Sequence, residues 1–223
     1  MLTAIAAALL FQTTPTLTPK EVKAGWKLLF DGKTTAGWHN FKAEGVGSGW
    51  TIKDGVLTSS DPGKAGDIVS DEKFDWFELQ LDFNVGKGQN SGIMFHVADT
   101  GEATWHSGPE IQIYDAPDPK EPGVQKTGFL YQLYVPKVES TKPAGQWNQM
   151  RLVIAPKKCA TYINGVKYYE FVLGSADFKA RVAKSKFNEW PTFGTFKTGS
   201  IGIQGDHGIV SFKNIKIRPI KAK

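Results

Sequence analysis

The stretch FELQLDFNV, residues 77–85, sets Phe77, Leu79, Leu81 and Phe83 at every second position, with Glu78, Gln80, Asp82 and Asn84 between them. Period two is the signature of a strand, because successive side chains leave opposite faces of a pleated chain. One face is apolar and must be covered, so a second layer is required. Outward from here the same pattern recurs. WTIKDGVLTSS places Asp54-Gly55 between two alternating runs, and MRLVIAPKKCATYINGVKYYEF does the same with Asn164-Gly165. Both dipeptides are strong hairpin signals, since they tolerate the positive φ of tight primed turns. SGIMFHVA sets Ile93, Phe95 and Val97 opposite Met94 and His96, and SIGIQ and VSFKNIKIRPI supply further strands. In the last of these Phe212 and Ile215 stand three apart, which predicts a bulge near Asn214. One segment differs. SADFKARVAKSKFNEW, Ser175 to Trp190, has helical composition with Ser175 or Asp177 as N-cap, predicting one short helix inside 176–187. No repeat and no linker interrupts the chain, so residues 25–223 read as one all-β domain. Its predicted architecture is a jelly-roll sandwich of two antiparallel sheets with one short helix.

Composition agrees with this and bounds the function. The 223 residues include 24 Gly and 12 Pro for turns, and 7 Trp, 6 Tyr and 14 Phe for a core. The net charge of +5 comes from scattered lysines, the densest run alternating with Ile near the C-terminus, which argues against nucleic-acid binding. The single cysteine, Cys159, excludes an intrachain disulfide and stands on a predicted strand as an ordinary buried residue. At the N-terminus, the apolar run Leu2 to Phe11 is too short to span a bilayer and fits a signal-peptide core. The Thr/Pro-rich stretch after it reads as a processed or linker segment. Residues 1–24 are therefore set apart from the domain, and the protein is expected to be exported, periplasmic or extracellular, with no membrane span.

The stretch HSGPEIQIYDAPD, residues 106–118, raises the functional question. Glu110-Ile111-Gln112-Ile113-Tyr114 alternates, so Glu110 and Gln112 share the face opposite the core. If that face curves into a groove, it presents a carboxylate to a ligand, and parity allows His96 to join it. Asp31, in FDG, reads as a turn former, and Trp38 and Trp50 as core. Trp190 and Phe193, in an aromatic loop, are the candidates to stack on a sugar face.

Seven motifs in order give the chain a resemblance. They are LLFDGKTTAGW (28–38), NSGIMFHV (90–97), GPEIQIYDA (108–116), GQWNQMRLVI (145–154), NGVKYYEF (164–171), KARVAKSKF (179–187) and IGIQGDHGIVSFKNIKI (201–217). In these the chain resembles the 3-keto-disaccharide hydrolase domain family, over roughly Gly25 to Ile220. The resemblance implies a concanavalin-like jelly roll and action on sugars already oxidised to a ketone at C3. One departure is visible: Gly205 separates Gln204 from Asp206 and His207.

The implied chemistry is specific. A C3 ketone acidifies the C2 proton, a base removes it, and the enolate expels the glycosidic oxygen from C1, with or without later addition of water. The route needs a base, a donor for the enolate oxygen and an acid for the leaving group. Glu110 and His207 are the candidate catalytic pair, His207 being Gly-flanked on its C-terminal side and suited to proton transfer. His96, Gln112, Asp115, Gln204, Asp206, Trp190 and Phe193 are the candidate substrate contacts. A divalent metal on the ketone oxygen is a further way to stabilise an enolate, although no tight ligand spacing is present. Two other readings stand beside this one. A retaining glucanase would use Glu110 and Asp115, brought roughly 5–5.5 Å apart by a bulge. A lectin-like carbohydrate-binding module would use the same groove without acid–base chemistry.

Overall fold

The computed structural model describes residues 14–115 and 126–221. The apolar run Leu2 to Phe11 lies outside the described residues. In chain order the strands are β1 (Lys27–Leu28), β2 (Trp38–Asn40), β3 (Trp50–Lys53), β4 (Val56–Ser59), β5 (Ile68–Phe74), β6 (Phe77–Val85) and β7 (Asn90–Val97). They continue with β8 (Glu110–Tyr114), β9 (Asn148–Ile154), β10 (Cys159–Ile163), β11 (Val166–Phe171), β12 (Gly199–Ile203) and β13 (Val210–Pro219). The larger sheet runs β11-β10-β9-β6-β13-β4-β3, with β1 also on β13; the smaller runs β2-β5-β12-β7-β8. All pairings are antiparallel. The two sheets form a jelly-roll sandwich, as the alternation predicts.

The core lies where the period-two pattern puts it. Phe77, Leu79, Leu81 and Phe83 of the larger sheet and Ile93, Phe95, Ile111 and Ile113 of the smaller belong to one buried cluster. Trp38 and Trp50 join it, each tied by its indole N–H to a carbonyl, that of Leu29 at 2.6 Å and Gly66 at 3.0 Å. Both hairpins form. Asp54 and Gly55 have φ of 53° and 77°, and Asn164 and Gly165 of 50° and 80°, as a tight primed turn requires. The bulge on β13 falls between Lys213 and Lys216, with Asn214 at φ 53°. Cys159 is buried and free.

The helical content exceeds the single helix read from sequence. The expected one, α3 (Ala176–Ala183), is present, its N-cap Ser175 accepting from the Phe178 amide at 3.1 Å. Two short helices precede it, α1 (Pro19–Lys23) and α2 (Pro62–Ala65). Two 3-10 turns, Thr104–His106 and Lys186–Glu189, are also present, the second capped by the Ser185 hydroxyl, and no periodicity announces them. The stretch from Thr14 to Ala24, set apart on composition, packs on the domain instead. Thr18 and Glu21 close a capping box on α1, Glu21 pairs with Lys216 at 2.5 Å, and Pro15 is buried. Among the described residues no helix is long and apolar enough to cross a membrane.

Candidate active site

The smaller sheet positions the site. In the β7–β8 ladder Met94 faces Glu110 and Gly92 faces Gln112, without interruption from Asn90 to Met94. Directly paired residues share a face. Glu110 and Gln112 therefore stand on the outer side, opposite core residues Ile111 and Ile113, as their parity predicts. Two glycines clear this face. Gly202 of β12 pairs with Met94, and Gly92 lies under the Glu110 side chain. A Cβ at Gly92 would stand 1.9 Å from Glu110 Oε1 and 2.6 Å from its Cδ, so the carboxyl can lie across the strand only because residue 92 has no side chain.

Loops then close over the face. Tyr131 donates its amide to the Glu110 carbonyl at 3.0 Å, adding an irregular edge beside β8. The 3-10 turn Thr104–His106 is anchored by the Thr104 hydroxyl on Asp67 and presents Trp105. The second turn, Lys186–Glu189, is anchored by buried Phe187, stacked on Phe193 at 3.9 Å, and presents Lys186. The result is a cleft of about 130 Å³ lined by Glu110, Gln112, Asn90, Gln204, His207, Lys186, Trp105 and Tyr131. It adjoins a second cleft of about 200 Å³ that shares Trp105, Gln204 and His207 and adds Asp67 and Asp206.

The electrostatics follow from burial and neighbours. Glu110 is only 7% exposed. Burial pushes its carboxyl up to about 7, and the charges of Asp67 and Asp206 add to this, while Lys186 and His207 oppose it. Asp67 is likewise raised to about 6, chiefly by burial, although Thr104 and the Gly205 amide, at 3.1 Å, donate to it. His207 Nδ1 bonds Asp206 Oδ1; this bond holds the imidazole above its usual pKa and the carboxyl below its own. With Nδ1 committed to Asp206, Nε2 is the nitrogen left for a ligand. Gln112 donates to Asn90 Oδ1 at 3.1 Å, and the buried Gln204 Oε1 has no hydrogen-bond partner. An unpartnered buried oxygen in a cleft wall awaits a donor such as a sugar hydroxyl. Lys186 Nζ lies 4.2 Å from the Trp105 ring centroid and 4.8 Å from that of Tyr131.

Of the residues read from sequence, Glu110, Gln112, Gln204, Asp206 and His207 come together. Gly205 fits closely beneath them: a Cβ there would meet the Gly66 carbonyl at 2.2 Å and the Trp50 ring at 2.5 Å. Four others are corrected. His96 does not enter the groove. The register between β12 and β7 slips between Ser200 and Gly202, and His96 has φ 54°, so a bulge turns its side chain into the core. There it is fully buried among Trp76, Phe77 and Phe95, with Nε2 donating to the Asp75 carbonyl at 2.6 Å. Phe193 is 3% exposed and belongs to the core through its stack on Phe187. Trp190 stacks on His106 and meets Trp105 edge-on, so it supports the cleft wall from behind. Asp115 accepts from the Gly88 amide at 2.9 Å, closing the turn beyond the far end of β8. The unbroken β8 places it about 17 Å from Glu110 along the strand, at ~3.4 Å per residue, so the two carboxyls cannot act as a retaining pair. Asp67, Asn90, Trp105, Tyr131 and Lys186 are residues lining the two clefts that sequence reasoning missed. Among the described residues no three His, Cys, Asp or Glu side chains gather closely enough to hold a metal ion.

A larger groove of about 620 Å³ lies beside α3, but its wall is mainly apolar, with Lys179 and Lys197 as its charged members. Size favours that groove; the concentration of shifted carboxyl, imidazole and ammonium groups favours the cleft at Glu110.

Comparison with known proteins identifies the family. Residues 25–218 match the 3-keto-alpha-glucoside-1,2-lyase-like domain. A 3-keto-disaccharide hydrolase of Bacteroides thetaiotaomicron is 30% identical over 228 aligned positions, spanning 87% of this chain and 78% of that protein. The solved structure of a candidate glycosyl hydrolase from Parabacteroides distasonis superposes with a TM-score of 0.84 at 32% identity, covering 93% of this chain and 99% of that one. A second from the same organism gives 0.65 at 29% identity, with 87% and 99% covered. A galectin-like protein from Bacillus subtilis, 14% identical with a TM-score of 0.51 over 94% and 96% of the two chains, shares the fold alone.

Proposed function

Because the chain belongs to the 3-keto-alpha-glucoside-1,2-lyase-like domain family, we propose that it cleaves the glycosidic bond of 3-keto-glycosides by proton abstraction at C2. The observation that carries this reading is the buried carboxyl of Glu110, pushed up to about 7, in one cleft with an Asp206-oriented His207. A carboxyl near neutrality exists in both forms at working pH, which suits a general base. Glu110 takes the C2 proton, and the electron pair enters the C2–C3 bond while the ketone oxygen gains the charge. The pair then returns to form the C1–C2 double bond as the C1–O bond breaks. His207, whose bond to Asp206 raises its pKa and so favours the charged imidazolium, gives its Nε2 proton to the departing oxygen. Water adding to the enone would complete a net hydrolysis, placing its hydroxyl at C1 and a proton at C2. Gln112, Asn90 and Gln204 supply neutral hydrogen-bonding groups for the sugar hydroxyls.

The test is substrate dependence. A 3-keto-glucoside should be cleaved while its unoxidised parent stays nearly inert, because without the ketone the C2 proton is not acidic. In deuterium oxide the hydrated product should carry deuterium at C2. Cleavage of the parent at a comparable rate, or a hydrated product without label at C2, refutes the route. Binding of both sugars with cleavage of neither would instead favour a lectin-like module.

A further inference from the structure

From the cage around its ammonium we infer that Lys186 is a catalytic residue, the donor that binds the C3 oxygen and carries its charge as the enolate forms. The inference rests on the C2-abstraction reading above and supplies the group that reading leaves unassigned.

Three observations support it. The first is position. Lys186 opens the 3-10 turn Lys186–Glu189, and its side chain lines the same cleft as Glu110 and His207. The turn is fixed from below by Phe187, fully buried against Phe193, and from its N-terminal side by Ser185, whose hydroxyl accepts from the Phe187 amide at 3.2 Å. The Lys186 amide itself donates to Gln132 Oε1 at 3.1 Å. A lysine on so tightly held a turn has a defined place at the cleft.

The second is the environment of the charge. Nζ rests against the faces of Trp105 and Tyr131, at 4.2 and 4.8 Å from their centroids. Ring faces hold a cation without donating to it or neutralising it. Among the described residues Nζ makes no hydrogen bond and no ion pair, so its three donors remain available to a ligand. Most cationic side chains with a close carboxylate in this protein are engaged by it, as Lys27 is by Glu72 and Arg151 by Glu78.

The third is complementarity to the reaction. Burial lowers the Lys186 pKa, with Glu110 opposing. A base and a cation facing one small cleft are the two poles an enolisation needs: one takes the C2 proton while the other receives the charge that appears on the C3 oxygen. The other donors lining the cleft are the neutral groups of Asn90, Gln112, Gln204, Trp105 and Tyr131, while His207 is assigned to the leaving group, so Lys186 is the cation left for that oxygen. No covalent bond to lysine is involved, and the ammonium keeps its protons throughout.

The experiment compares Lys186→Met and Lys186→Arg with the parent protein on a 3-keto-glucoside, following kcat, KM and the rate of C2–H exchange into deuterium oxide. Methionine keeps the apolar stem without the charge; arginine keeps the charge with altered reach. Lys186→Met should lose about 100- to 1000-fold in kcat, the usual effect of removing one oxyanion donor. Exchange should fall in parallel, KM should stay within a few-fold, and Lys186→Arg should recover part of the rate. Unchanged kcat and exchange in Lys186→Met overturns the inference, as does a rise in KM alone, which would mean ground-state binding only. A drop in thermal midpoint with normal turnover would show that the lysine merely staples the turn to Trp105. Should the methionine variant fail to fold, Lys186→Gln is read by the same criteria. If the parent protein leaves the 3-keto-glucoside intact, the C2-abstraction reading itself fails, a result separable from any variant.

Discussion

Replacing Gly92 with alanine separates activity from stability. The backbone at Gly92 has no positive φ, so alanine is conformationally allowed. Its Cβ would nevertheless stand 1.9 Å from Glu110 Oε1, 2.6 Å from Cδ and 2.7 Å from Cγ. Ordinary contact begins near 3.4 Å, so the carboxyl must withdraw by about 1.5 Å. The atoms in the way are the end of a flexible side chain, and the strand itself can stay in place. A displacement of ~1 Å at a reacting group can cost about 10²-fold in rate. The expected loss in kcat/KM on a 3-keto-glucoside is therefore about 10²-fold or more, bounded by the ~10⁴ that an acid–base group contributes. Stability should move little. Loss of glycine freedom in the unfolded chain favours the fold by ~0.4–1 kcal/mol, and the displaced carboxyl offsets some of this. At ~2–4 °C per kcal/mol for a chain of this size, the thermal midpoint should stay within a few degrees. The assay is steady-state kinetics beside a thermal melt. Activity within threefold of the parent would refute the reasoning, because the place Gly92 leaves for the carboxyl would then be irrelevant. A collapse of the melt would refute it differently, by making residue 92 a packing requirement.

Glu110→Gln should lose about 10²–10⁴ in rate and gain stability above neutral pH. The native carboxyl titrates near 7 and the unfolded one near 4.5, so the native state holds more protons between these values and stability falls as pH rises through that window. Removing the group should restore on the order of 3 kcal/mol above pH 7 and nothing below pH 4, which melts across pH will read. Asp206→Asn should lower the His207 pKa by removing its main support, moving the alkaline limb of the rate profile to lower pH; an unmoved limb would free His207 of that role. His96→Ala should cost about 2–4 kcal/mol by opening a core cavity while kcat holds, as a melt and an assay together would show. Export, expected from the apolar run before Gln12, is checked by N-terminal sequencing of the mature protein, and retention of Met1 would contradict it.

The period-two pattern made the sandwich, the hairpins and the outer-face positions of Glu110 and Gln112 legible, because each depends on neighbours along one strand. What escaped depends on structure across strands or on single turns. His96 follows parity until a bulge on β7, opposite β12, turns it inward, and no residue in SGIMFHVA announces that bulge. Phe193 looked exposed because it sits among Pro, Thr and Gly; its partner Phe187 buries it. Asp67 follows Gly66 and reads as a turn residue, yet the Gly205 amide, from 138 positions away, and Thr104 both point at it. Lys186 belongs to a run of scattered lysines, and only the folding back of Trp105 and Tyr131 sets it apart. The one sequence signal that was available was spatial economy: Gly92 stands inside a strand where a glycine is costly, and such a glycine marks a close approach.

The same economy bears on why this face differs from a sugar-binding one. Neutral amides suffice to hold hydroxyls, and Gln112, Asn90 and Gln204 already provide them. Glu110 adds a buried charge that weakens the fold above neutral pH, requires glycine beneath it at position 92, and is flanked by carboxylates that make its ionisation harder. A binding module gains nothing from such a group, since glutamine has the same shape and no charge to bury. Proton transfer is the one task for which the cost is useful, because the burial that destabilises the carboxylate is also what lifts its pKa to the working range. The acidic neighbours then act to a purpose: Asp67 and Asp206 raise Glu110 toward neutrality, and Asp206 also raises His207. One cluster thereby raises both the carboxyl of Glu110 and the imidazole of His207 above their ordinary values at one cleft, the pairing that the proposed C2 abstraction with leaving-group protonation would use.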